Sequence, residues 1–431
     1  MLAAAGFAVT VAAFYPGIAS IDTIAQYEQG LAGRFNDHHP PLMAWLWSVL
    51  GHVAGGPSTM LVLHVALVWS GLWLFADGAA RRGLRHAWLL VLAGFLPPII
   101  GIEGMIWKDV SMAAALLFVT GLLYRASAHG SRAGGWVATM TVAILFYATA
   151  VRANAPAATG PIAVYWAACV FPQVRVRTAI RVGIGVLALL LLVQWGIDTR
   201  VLHARRMHAS QMIETFDLAA IRCAGGDATI PPAFVRDDAD AKALCDAFDP
   251  RLVDFLYFDH DSPLQMNTDH SALRALGRAW RQAVVAFPDT YIAHRWRAFT
   301  SLLGFGVPDA PRLLWNPYSV PNGYGITFTP NAITGAIGVA VAFANALGFY
   351  NGAAWLLLAG AVVWLSWRQR TRRDNTAAAT LAVSAIGYTL PYFFIAIAPD
   401  YRYIYWTIIA TTIAALLTLL GQLTPVRAVS R

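Results

Sequence analysis

Apolar runs of roughly 17–20 residues, the length a helix needs to cross about 30 Å of hydrocarbon, recur along most of this 431-residue chain. They fall near 1–16, 58–76, 87–102, 109–125, 135–151, 157–173, 182–197, 352–367, 376–397 and 403–421. Helices apolar on every side do not belong on the surface of a water-soluble domain. The pattern therefore predicts an all-α polytopic membrane protein with about ten transmembrane helices. Composition agrees, since 58% of the residues are hydrophobic and only 13% are charged.

The net charge of +8 does not point to nucleic acid, because the arginines gather in short clusters beside apolar runs. Arg81, Arg82 and Arg85 follow the second run, Arg125 and Arg132 the fourth, Arg175, Arg177 and Arg181 the sixth, and Arg368, Arg370, Arg372 and Arg373 the eighth. Such loops are cytoplasmic by the positive-inside rule, and both termini then lie on that side as well. Residues 1–14 have no basic leader segment and are taken as a first membrane helix, not as a cleavable signal.

Two further apolar stretches, 41–55 and 331–348, would break the parity of the crossings. They are expected as juxtamembrane helices at the outer interface or re-entering it. The chain then divides into an N-terminal membrane module (1–197, with its first external loop at 17–57), an extracytoplasmic, mainly helical domain (198–330) and a C-terminal membrane module (331–431). In the polar region, the 271–303 segment carries helical spacing interrupted at Pro288. Cys223 and Cys245 lie in the same region and suit a disulfide on an oxidising face, whereas Cys169 sits within an apolar run.

Of the 23 acidic residues, 15 lie between Asp198 and Asp309. Of the remaining eight, Asp77 and Asp374 accompany cytoplasmic arginines. The other six, Asp22, Glu28, Asp37, Glu103, Asp109 and Asp400, fall at the external ends of the predicted spans, together with Arg34, His38, His39, Lys108, Arg152, Asn154 and Arg402. Ionisable groups at membrane depth cost several kcal/mol unless they pair or face water, so this segregation predicts a polar cavity on one face. Each residue also has a structural explanation. Asp22 follows Ser20 as a first-turn helix acid would, and Asp109 fits the same description. Lys108 can snorkel, HHPP at 38–41 can be a turn, Arg152 and Arg402 can be interface anchors, and Trp45, Trp47 and Trp107 can be belt residues or groove lining. The loop WNPYSVPNGYG at 315–325 is a candidate cap over the cavity.

The motifs YPGxxSxD at 15–22, HHPP at 38–41, WKD at 107–109, RAN at 152–154 and DYRY at 400–403 resemble the GT-C superfamily of membrane glycosyltransferases. The likeness is to bacterial multispanning proteins related to protein O-mannosyltransferases and lipid A aminoarabinose transferases, and YIAHR at 291–295 is similar to a segment of their external region. The resemblance implies a GT-C-like fold in the bacterial inner membrane. It also implies transfer of a sugar from a polyprenyl-phosphate donor to an extracytoplasmic glycan, lipid or protein. The superfamily's acidic residue in the first external loop falls on Asp22. A second external acid is usual there, and Glu103 and Asp109 are the candidates for it.

Sugar transfer to a hydroxyl asks for a base on the nucleophile and for positive charge on the departing phosphate. Asp22 is the candidate to take the acceptor proton or orient the acceptor, with inversion. Lys108, Arg152, Arg402 and His39 are candidates for the donor phosphate, and Asp109, Glu103, His38 and Asn154 support them. No cofactor is required by these spacings, and no two histidines stand four residues apart as in HExxH. A divalent cation on Asp22, Asp109, Glu103 and His39 is the open alternative. Rival readings of the same charges are a secondary transporter or flippase of lipid-linked saccharides, an O-antigen-ligase-like transferase, and a scaffold. The absence of a detectable internal duplication weighs against a transporter.

Overall fold

A computed structural model describes residues 1–54, 56–128, 132–236, 240–305, 314–368 and 374–424. Arg370, Arg372, Arg373 and Asp309 lie outside these residues. Among the described residues 71% are in helix and none is in a strand. The N-terminal helices are α1 (Leu2–Phe14), α2 (Ile21–Ala32), α3 (Leu42–Ala54), α4 (Ser58–Arg81), α5 (Leu89–Leu92), α6 (Pro97–Ile100), α7 (Lys108–Ala126), α8 (Gly135–Ala150), α9 (Ala155–Val170) and α10 (Val176–Gly196). A polar domain follows, with α11 (Ser210–Cys223), α12 (Ala241–Asp246), α13 (Asp254–Tyr257), α14 (His270–Ala286) and α15 (Pro288–Leu303). The chain then forms α16 (Ala332–Ala346), α17 (Gly352–Arg368), α18 (Asp374–Thr389), α19 (Tyr392–Ile395) and α20 (Tyr405–Leu423).

The protein is a multi-pass membrane protein. Five segments are long and apolar enough to cross a bilayer unaided: α4, α7, 176–201 around α10, 375–395 around α18, and 401–423 around α20. The other expected crossings at α1, α8, α9 and α17 form helices of 13–17 residues. At ~1.5 Å per residue these are shorter than the hydrocarbon layer. The expected run at 87–102 is not a continuous helix. Pro97 holds Leu96 in an extended conformation (ψ 131°), because a proline disfavours the helical region for its predecessor. The run splits into α5, a 3₁₀ turn at Ala93–Phe95, and α6.

The bundle's centre is α7, packed on α4, α8, α9 and α20, with α18 against α9, α17 and α20. Its apolar window is 83% buried, whereas that of α10 is 17% buried. Ile184, Leu189 and Leu192 of α10 are exposed. An apolar helix with its flank uncovered fits lipid, not water. The two ends of α7 carry opposite chemistry. At its C-terminal end Arg125 and Arg81 both hold Asp77 at 2.6 Å, and Arg82 lies over the Tyr124 ring. Lys108 begins the same helix, ~27 Å away for 19 residues.

The polar domain has its own core around Phe216, Leu218, Phe234, Leu256, Leu264 and Leu276. A disulfide joins Cys223 at the end of α11 to Cys245 in α12. The Pro288 interruption appears as the α14–α15 break, and Ala298, Phe299 and Leu302 of α15 enter the core of the membrane bundle. The domain is thus fastened to one end of the bundle.

Candidate functional site

Four separate segments meet at that end. In the loop after α1, Gly17 has φ 115°, and a β-carbon there would stand 2.6 Å from Ile106 Cδ1. Only glycine permits both this conformation and this approach. The neighbouring backbones then bond: Ile18 N–H donates to Gly104 C=O (2.9 Å), and Ile106 N–H donates to Ile18 C=O (3.2 Å). Ser20 caps α2 in a capping box with Thr23, which satisfies two otherwise free amides. The Thr23 hydroxyl donates to Ile106 C=O (3.1 Å), and the Trp107 indole N–H donates to Ser20 Oγ (2.7 Å). Asp22 in the first turn of α2 is thereby fixed near Lys108, the first residue of α7. The 315–325 loop buttresses this junction: Val320 N–H donates to Ala19 C=O (2.9 Å), and Ala19 N–H donates to Ser319 Oγ (3.0 Å).

The HHPP turn supplies His39. Its Nε2 stands 3.5 Å from Asp22 Oδ1, and its Nδ1 contacts Lys108 Nζ. An ammonium has no lone pair and must donate, so Nδ1 is the acceptor and the ring proton sits on Nε2, facing Asp22. Burial, followed by the nearby Lys108 charge, pushes the imidazole pKa down to about 4. His39 is therefore neutral near pH 7.

Arg402 enters from the 3₁₀ turn Tyr401–Ile404 ahead of α20. Its Nη1 donates to Asp22 Oδ2 at 2.7 Å and its Nε pairs with Asp400 Oδ2 at 2.9 Å. The guanidinium lies over the rings of Trp107 (4.8 Å) and Tyr403 (5.2 Å). Burial opposes ionisation of Asp22, but Arg402, His39 and Lys108 outweigh it and hold the carboxyl well below its usual range. At Asp400 burial prevails over Arg402 and the pKa is raised.

Arg152, in the turn between α8 and α9, forms a deeper pair. Its Nη1 stands 2.7 Å from Asp109 Oδ1, its Nη2 donates to Tyr392 OH at 2.7 Å, and its guanidinium lies 4.8 Å from the Tyr403 ring centroid. The side chain of Asp109 is 1% exposed and that of Arg152 9%, against 25% for Asp22 and 14% for Arg402. The site therefore grades from a closed floor to an open rim. Arg152 and Arg402 are both committed to carboxylates. Among the described residues, Lys108 is the cation of the three with no carboxylate within 4.0 Å.

Asp22, His39, Lys108, Asp109, Arg152 and Arg402 are thus brought together. The remaining candidates are placed differently. Glu103 is buried in the turn between α6 and α7, with Trp69 and Tyr405 as its polar neighbours. Asn154 precedes α9 without a side-chain capping bond, and His38 lies at the rim with its ring 4.8 Å from that of His39. Trp47 is a packing residue, buried against Tyr27 and donating to Pro57 C=O. Among the described residues no three His, Cys, Asp or Glu side chains are grouped to hold a metal ion.

Asp400 joins the cluster through Arg402, two residues on in the DYRY motif. Asp254 begins α13 in the polar domain, where the preceding Val253 N–H donates to Ile397 C=O at 2.8 Å, and nothing local distinguishes it from the other acids of that region. The chain matches no protein-family model and no curated protein.

Proposed function

We propose that this chain is an integral-membrane glycosyltransferase of GT-C type, moving a sugar from a polyprenyl-phosphate donor to an extracytoplasmic glycan, lipid or protein. The observation that carries the reading is the convergence of Asp22, His39, Lys108 and Arg402, from four segments, on a partly open cluster where the polar domain meets the bundle. Lys108, free of carboxylates among the described residues, would receive the donor phosphate, and Arg402 at the rim would share the charge that builds as the sugar departs. Asp22 lies at the mouth, facing the incoming acceptor. Displacement is direct and inverts the anomeric centre. Arg152 and Arg402 each pair with a carboxylate, Asp109 and Asp22, so that Lys108 is the cation left for the donor phosphate.

The arginine cluster at the far end of α7 favours a cytoplasmic location for that end. The disulfide fits an oxidising compartment for the polar domain. Together they favour an orientation in a bacterial cytoplasmic membrane with the cluster outside, and the shorter apolar helices would bring the crossings to about ten. The test uses full-length protein in nanodiscs with polyprenyl-phosphate-linked hexoses, pentoses and amino sugars as donors, reading release of polyprenyl phosphate. Release with at least one donor, and its loss in Lys108→Ala and Asp22→Asn, is expected. Wild-type protein that binds a lipid-linked sugar and moves it between leaflets without cleaving it would establish the flippase reading instead.

A further inference from the structure

The 388–405 segment, which carries Asp400 and Arg402, also holds five tyrosines. Four of them have their hydroxyls occupied. Tyr392 OH accepts from Arg152 Nη2 at 2.7 Å and stands 3.3 Å from Tyr388 OH. Tyr401 OH donates to Pro98 C=O, and Tyr405 OH donates to Ile99 C=O at 3.4 Å. A tyrosine hydroxyl drawn away from bulk water ordinarily finds such a partner. Tyr403 is the exception, since its hydroxyl makes no hydrogen bond among the described residues.

The ring that carries this hydroxyl is nevertheless held on several sides. Arg152 Cζ lies 4.8 Å from its centroid and Arg402 Cζ lies 5.2 Å from it, both within the range at which a guanidinium is attracted to a ring. Tyr392 stacks on it, with centroids 5.3 Å apart and 17° between the planes. The backbone is tied as well, because Tyr403 N–H donates to Asp400 C=O at 3.1 Å. Tyr403 thus touches both the floor of the site, through Arg152, and its rim, through Arg402. It is itself partly exposed.

We propose that Tyr403 is a ligand-binding residue of this site and that its hydroxyl donates a hydrogen bond to a phosphate oxygen of the lipid-linked donor. The identity of that donor rests on the glycosyltransferase reading. Neither neighbouring guanidinium can take the Tyr403 proton, because arginine has donors and no acceptor. Two cations beside an unused donor favour an anionic oxygen there over a neutral one, and an O–H bond to a charged oxygen is the stronger kind. Tyr403 adds this donor without adding charge. A ring already fixed by three side chains gives up little freedom when the bond forms.

The test uses the full chain in a phosphate-free non-ionic detergent, so that no other lipid phosphate competes. Binding of polyprenyl phosphate and of uncharged polyprenol is measured for wild type, Tyr403→Phe and Tyr403→Leu. Tyr403→Phe keeps the ring and removes only the hydroxyl. It should bind polyprenyl phosphate about 10- to 100-fold more weakly, bind polyprenol as wild type does, and keep the wild-type melting temperature. Its kcat/KM for donor cleavage should fall by a similar factor. Tyr403→Leu, which also takes the ring away from the two guanidiniums, should bind at least as weakly and melt at a lower temperature. A Tyr403→Phe protein that binds polyprenyl phosphate as tightly as wild type, or that loses the same affinity for polyprenol, would overturn the assignment of Tyr403. A wild-type protein that cleaves no lipid-linked sugar would instead overturn the glycosyltransferase reading, and the binding comparison would still decide whether the hydroxyl holds a phosphate.

Discussion

Asp217, Arg295 and His294 in the polar domain combine the same residue types as Asp22, Arg402 and His39 at similar distances, although Arg295 and His294 share one oxygen of Asp217 whereas Arg402 and His39 stand at different oxygens of Asp22. The Arg–Asp distances are 2.6 and 2.7 Å, and the His–Asp distances are 3.6 and 3.5 Å. What separates them is access. The side chains of Asp217 and Arg295 are completely buried. Trp280 donates to Asp217 at 2.8 Å, and Arg295 donates to the Ala396 carbonyl at 2.9 Å and to that of Ile213 at 3.2 Å. Every strong contact of that triad is internal, and through Ala396 it ties the polar domain to the segment that carries Asp400 and Arg402. The Asp22 triad keeps one side open and has Lys108 beside it. The YIAHR segment therefore has a structural role in this chain, and the likeness of residue types between the two triads says nothing of chemistry until exposure is known.

Substitutions can break this contrast. The largest effect on folding is expected from Arg295→Leu, which leaves Asp217 buried without its cation and should cost ~3–5 kcal/mol, read as a fall in melting temperature in detergent. Asp22→Asn should do the opposite. Its half-open pair contributes ~1 kcal/mol or less to stability, while donor cleavage falls by ~10²–10⁴-fold. If both variants lost stability alike, the Asp22 triad would be a second clamp. Next in size, replacing Cys223 and Cys245 by Ser opens a loop of 22 residues and should cost about 3 kcal/mol. Hydrogen exchange should then rise in α11 and α12, with the bundle unaffected.

The smallest effect is a pH dependence. His39 and His294 are pushed down to about 4 and about 3, chiefly by burial. A depressed histidine leaves the unfolded chain binding more protons between its folded pKa and ~6.5, so stability rises with pH across that window. The carboxyls of Asp254 and Asp400, raised chiefly by burial, contribute the opposite slope, so the readout is the difference between variants: His39→Gln should lose less melting temperature than wild type on acidification from pH 6.5 towards 4. An identical slope in the two proteins would mean that folding does not depress the pKa of His39.

Several elements are legible in the residues alone. Apolar period and length mark the membrane helices, Ser20 marks the start of α2, Pro288 marks the α14–α15 break, and the pairing of Cys223 with Cys245 follows from their shared polar region. These are local properties, set by backbone sterics and transfer free energy over a few turns. The 87–102 run shows the limit, since hydropathy averaged over a window does not register that Pro97 and Pro98 break the helix. Glu103 shows another, because an acid beside the external end of a span can turn towards the bundle as easily as towards the cluster.

By itself, the sequence determined that this chain inserts helices into a membrane and that it gathers ionisable residues at one end of them, because both follow from composition along the chain. The tertiary structure decided which of those residues meet. Arg402 reaches Asp22 across 380 positions of sequence, and the polar domain is tied to the segment ahead of Asp400 where Val253 N–H donates to Ile397 C=O. Pairing, burial and exposure are sums over neighbours from distant segments. They fix which carboxylate is clamped and which is free, and no pattern along the chain contains that information.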